Sequence, residues 1–138
     1  KPKVAAQQKK LASLSGVNIL LADDNTLNLE IAEYMLTEAG AVVTKAENGK
    51  AALELFKNAP ENSFDIILMD VMMPEMDGLT ATRRIRSLNR PDAEQIPIFV
   101  MYRAISLLEK QFHKLVWEEL IAVLERYCEK ADCPLQCV

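Results

Sequence analysis

Four short apolar runs, VNILLA (residues 17–22), AVVTKA (41–46), FDIILM (64–69) and IPIFVM (96–101), are spaced so that amphipathic stretches lie between them. This alternation constrains the fold more than any other feature of the chain. Strand and helix in repeated succession give parallel strands joined by right-handed crossovers. Runs that are apolar almost throughout, and not at every second position, belong to strands covered on both faces. The fold class is therefore α/β, a three-layered, doubly wound parallel sheet. Ligands of such sheets bind outside the carboxyl ends of the strands. A chain of 138 residues suggests one domain with a substantial core.

The connecting stretches carry helix signals. Asp23, Asp24, Asn25 and Thr26 are turn and N-cap types, and Leu27, Ile31, Met35 and Ala39 then recur on one helical face before Gly40 ends it. Asn48 and Gly49 turn the chain into a short helix with Ala52, Leu55 and Phe56, and Gly78, Ala81, Ile85 and Leu88 mark a third helical face. Residues 1–15, rich in lysine and free of acids, read as a linker or lead-in. The domain is placed at 16–129 with a tail at 130–138, and the whole reads as a fragment of a longer polypeptide.

Composition excludes several classes. A net charge of −4 argues against nucleic-acid binding driven by overall charge. No apolar run approaches the roughly 20 residues of a membrane span, and no signal-peptide core is present, so a cytoplasmic domain without membrane contact is expected. Cys128, Cys133 and Cys137 cluster near the C-terminal end. With His113 they fit no usual zinc spacing, and they read as free thiols on a frayed tail.

Three acids stand out on this frame. Asp23 and Asp24 follow the first strand and Asp70 follows the third, and these strands are plausible neighbours. Three carboxylates converging at one sheet edge repel one another, and a divalent cation resolves the repulsion. Mg²⁺ takes hard oxygen ligands at about 2.0–2.1 Å and keeps several waters, so one or two carboxylates and a backbone carbonyl suffice. Helix capping accounts for Asp24 alone, but not for all three acids with MMPEMDG directly after Asp70.

ILLADDN, DIILMDVMMPEMDG and IPIFVM, at these separations, resemble the receiver domain of two-component response regulators over residues 17–101. The resemblance implies a flavodoxin-like sheet of strand order 2-1-3-4-5 and phosphoryl transfer from a phosphohistidine on a histidine kinase or phosphotransfer partner. It implies that Asp70 is the phosphoacceptor, a carboxylate nucleophile that forms an acyl phosphate. Asp24 is then the direct Mg²⁺ ligand, Asp23 acts mainly through water, and the backbone carbonyl of Met72 is the remaining protein ligand. Met73, Pro74 and Gly78 shape the loop over the site. The segment before VNILLADDN also resembles the linker ahead of a receiver fused behind a sensor kinase, which points to a hybrid kinase as parent.

The pattern breaks after the fourth strand. The family has Ser or Thr there, whereas this chain has Tyr102 followed by Arg103, and a tyrosine hydroxyl lies too far from the backbone to make the same short contact. Only Lys114-Leu115 resembles the family's Lys-Pro pair, which makes Lys114 either the phosphate-binding lysine that the resemblance implies or an ordinary solvated one, and its peptide is expected trans because cis costs about 3 kcal/mol. The interval is about one helix too short. Residues 103–129 lack Gly and Pro, with apolar positions at Ile105, Leu108, Phe112, Leu115, Leu120, Val123, Leu124 and Tyr127. They form either a short helix, a fifth-strand stub at 112–116 and a final helix, or one long helix that replaces the fifth strand. The spacing favours the long helix. Strand four is then an apolar edge that invites a homodimer through the C-terminal segment, with Trp117 as an interface or core anchor.

Three functions compete: a working phosphoacceptor with at most self-catalysed phosphorylation and dephosphorylation, a degenerate receiver acting through protein contacts, and an aspartyl-nucleophile phosphohydrolase. The last wants a second Asp where Met72 stands.

Overall fold

The computed structural model describes residues 14–101 and 110–130. Four strands, β1 (Asn18–Ala22), β2 (Val42–Ala46), β3 (Ile66–Asp70) and β4 (Ile98–Met101), form one sheet in the order β2-β1-β3-β4. All three pairings are parallel. Five helices connect or follow them: α1 (Thr26–Glu38), α2 (Gly49–Asn58), α3 (Gly78–Arg86), α4 (Pro91–Gln95) and α5 (Lys110–Lys130). This is a flavodoxin-like topology without a fifth strand among the described residues. Residues 112–116 are helical instead, and no break interrupts α5.

Alternation along the central strands divides the core in two. Ile19, Leu21, Ile66 and Leu68 face a cluster with Leu29, Ala32 and Leu36 of α1 and Ile121, Leu124 and Cys128 of α5. Leu20, Ala22, Ile67 and Met69 face the opposite cluster, built from α2, α3 and α4 by Ala52, Phe56, Ala81, Ile85 and Ala93. Helices on both faces are what the near-continuous apolar strands require.

Several sequence expectations shift in detail. On α1 the buried line runs through Leu29, Ala32 and Leu36; of the Leu27–Ile31–Met35–Ala39 row, Ala39 is buried, Ile31 and Met35 pack at the edge of the same core, and Leu27 is half exposed. On α5 Leu124 is buried together with Ile121 and Cys128, Leu120 packs against them, and Val123 and Tyr127 are partly exposed. Tyr127 meets Phe99 of β4 edge-on at 5.8 Å between centroids. A four-residue step drifts round a helix of 3.6 residues per turn, and the sheet's position selects the face. Cys128 therefore belongs to the core and not to a frayed tail, while Cys133 and Cys137 lie outside the described residues. Leu14, within the expected lead-in, is also fully buried, and its N–H donates to the Ala39 carbonyl at 2.9 Å. No described helix is long and apolar enough to cross a membrane.

Candidate functional site

The strand order reverses direction between β1 and β3, because β1 leads to β2 on one side while β3 pairs on the other. The crevice outside the carboxyl ends of these two strands is the topological switch point. The register sets Ala22 against Met69, so Asp23 and Asp70 occupy successive positions at that edge. Asp70 is the last residue of β3, not the first after it, and its partner in β4 is Met101. It is 1% exposed and Asp23 is 5% exposed, whereas Asp24 is open to solvent.

One carboxylate oxygen from each of Asp23, Asp24 and Asp70 lies within 4.8 Å of the other two. Oxygens bound to one Mg²⁺ at about 2.1 Å stand at most about 4.2 Å apart. The spacing is close to that limit, and hard anionic oxygens are the donor set such an ion prefers. The cluster is able to hold a divalent metal. The three acids that the sequence singled out are thus brought together.

The local scaffold fixes two of them. Asn25 caps α1 by accepting from the Asn28 N–H at 3.0 Å, and the Asn25 N–H donates to Asp23 Oδ1 at 2.9 Å. The Met72 N–H donates to Asp70 Oδ1 at 3.3 Å. The loop beyond Asp70 is pinned at several points. The Val71 N–H donates to the Met101 carbonyl at 3.0 Å and the Gly78 N–H to the Val71 carbonyl at 2.9 Å. Met73 is buried in the core while Met72 is 65% exposed. Glu75 takes a left-handed backbone (φ +66°), and Asn48 Nδ2 donates to its carboxylate at 3.2 Å. Asp77 caps α3, and the Thr80 N–H that it accepts at 2.7 Å holds its carboxyl below the ordinary range.

The remaining sequence-predicted positions fall where side chains lie outside the described residues. Lys114 falls inside α5 instead of following a fifth strand, and its side chain, like those of His113 and Trp117, lies outside the described residues. Tyr102 and Arg103 also lie outside them. Sequence reading missed Asn28, whose amide donates to Asp23 Oδ2 at 3.3 Å. Its signal was a polar residue on a helix face that is otherwise apolar. It also missed α4 and Arg90, although Pro91 followed by Asp92 and Glu94 is a helix-start pattern.

Comparison with known proteins agrees with this geometry. The chain is 53% identical over 72 residues to Histidine kinase 2 of Arabidopsis thaliana, covering 52% of this chain and 6% of the kinase. It is 49% identical over 78 residues to Probable histidine kinase 3 of Oryza sativa, covering 56% of this chain and 7% of that protein. The chain therefore spans only a small part of these relatives. Among solved structures, it is similar to the receiver domain of the sensor histidine kinase PA1611 from Pseudomonas aeruginosa. That domain was solved with a magnesium ion coordinated in its active site cleft (TM-score 0.64, 30% identity, 81% of this chain and 97% of that one). It is also similar to chemotaxis protein CheY4 of Vibrio cholerae (TM-score 0.65, 27% identity, 81% of this chain and 98% of that one). The response regulator receiver domain pattern matches residues 19–114. With the sheet order, the switch-point acids and this match in agreement, the chain belongs to the response regulator receiver domain family.

Proposed function

We propose that this chain is a Mg²⁺-dependent phosphoacceptor in a phosphorelay and the receiver of a hybrid histidine kinase in the cytoplasm. The observation that carries the reading is the convergence of the Asp23, Asp24 and Asp70 oxygens at the switch point. The Asp70 carboxylate attacks the phosphorus of a phosphohistidine on a kinase or phosphotransfer partner. The O–P bond forms as the P–N bond breaks, the imidazole nitrogen leaves with the electron pair, and an acyl phosphate results. Asp23, Asp24, Asp70 and the backbone carbonyl of Met72 would hold Mg²⁺, which when bound would neutralise charge on the transferring oxygens. Asp70 is pre-positioned because β3 is paired on both sides, and Met72 N–H orients its carboxylate.

The test is intact mass after incubation with Mg²⁺ and acetyl phosphate. One phosphoryl group is expected on the wild type and none on Asp70→Asn. An unmodified mass in protein that still binds Mg²⁺ would leave a receiver scaffold that acts through contacts alone.

The second element of the proposal is a homodimer through the C-terminal segment. It is supported by β4, which ends the sheet among the described residues, and by its half-buried side chains Ile98, Phe99, Val100 and Met101. Light scattering across a hundredfold concentration range is expected to show the mass of two chains at the upper end. A one-chain mass throughout would remove the dimer and leave the phosphoacceptor reading intact.

A further inference from the structure

Asn28 is 6% exposed and sits in the first turn of α1, beside the apolar row of Leu29, Ala32 and Leu36. A buried amide is costly unless it is bonded, so its partner is informative. Its Nδ2 donates to Asp23 Oδ2 at 3.3 Å, in a bond buried on both sides. Asp23 Oδ1 receives the Asn25 N–H at 2.9 Å.

These bonds modify a familiar helix start. In a capping box, the third helical residue reaches back to the N-cap N–H. Asn25 is the N-cap here and Asn28 the third helical residue. The carboxylate of Asp23 is interposed between them and accepts from both. One acid of the metal cluster is thereby built into the helix start, with its negative charge at the positive end of the α1 dipole.

We infer that Asn28 is a positioning residue for the metal site: its amide fixes the orientation of the Asp23 carboxylate and acts on a bound cation only through it. The inference rests on the Mg²⁺ reading proposed above. Groups that orient a ligand from behind typically change metal affinity by about 10–100-fold when removed. Asn28→Leu keeps the side-chain size and removes the donor, and Asn28→Ala serves as a second variant if leucine does not fit.

The experiment is calorimetric titration with Mg²⁺ alone, with far-ultraviolet circular dichroism to verify folding. Each folded Asn28 variant is expected to bind Mg²⁺ about 10–100-fold more weakly than wild type. In an Asp23→Asn background the same substitution is expected to change affinity less than about twofold, since two residues acting through one contact are not additive. A folded variant with wild-type affinity, or an equal loss in both backgrounds, overturns the role of Asn28 while the metal site stands. A wild type that does not bind Mg²⁺ overturns both.

Discussion

Gly78→Ala is expected to destabilise the domain by about 3 kcal/mol, the upper end of typical overpacking costs, and to lower its melting temperature by roughly 10–20 °C. A Cβ at this position would stand 2.0 Å from the Asp70 carbonyl oxygen, 2.8 Å from its carbonyl carbon and 2.9 Å from Met69 Cγ. Two of these neighbours are backbone of the central strand, so the clash has no flexible side chain to absorb it. Relief requires α3 to move off the sheet or β3 to shift, and Asp70 moves with β3. Phosphorylation by acetyl phosphate is therefore expected to fall together with stability. Gly16→Ala provides the contrast. Its Cβ meets nothing within 4 Å, but its φ of +79° is left-handed, a conformation that costs an L-residue about 1–2 kcal/mol. Thermal unfolding of the two variants checks the ranking. A Gly78→Ala melting temperature no lower than that of Gly16→Ala would refute the steric argument.

The site was legible in the sequence because its residues sit where strands stop. A strand boundary is marked by the change from apolar to turn-forming residues, and Asp23, Asp24 and Asp70 lie at two such boundaries. Parallel topology then brings the boundaries of β1 and β3 together without any knowledge of side-chain packing. What the sequence concealed depends on orientation and on long-range partners. The centres of the buried faces of α1 and α5 were not legible, because periodicity fixes that a helix has a face but not its phase against the sheet. Asn28 looked like an ordinary polar residue until Asp23 appeared beside it. Short α4 has too few residues to show a period at all, and the carbonyls that Arg90 reaches lie more than thirty residues earlier in the chain.

Arg90→Ala is the second change with a large expected effect, about 2–3 kcal/mol, between the costs of breaking an exposed and a buried ion pair. Nε and Nη2 of Arg90 donate to Asp92 Oδ1 and Oδ2 at 2.7 and 2.9 Å, a two-bond fork with side chains only 14% and 6% exposed. Nη1 donates to the carbonyls of Phe56, Lys57 and Ala59 at 3.0–3.2 Å, at the end of α2 where carbonyls run out of onward helical donors. The guanidinium also lies 4.8 Å from the centre of the Phe56 ring. One side chain thus ties α4 to the end of α2, and lysine cannot copy the fork. The loss also has a pH signature. The Arg90 hydrogen bonds hold the Asp92 carboxyl below its ordinary range, against its burial, and the Asn62 N–H at 2.9 Å adds to the effect. The unfolded chain therefore binds this proton more readily, so the stabilisation is complete above the ordinary carboxyl value of about 3.9 and fades as pH falls through the lower native one. Urea unfolding of wild type and Arg90→Ala should give curves well separated at pH 7 that converge below about pH 4. A separation that stays constant into acid would show that the carbonyl and ring contacts carry the clamp, without the carboxylate.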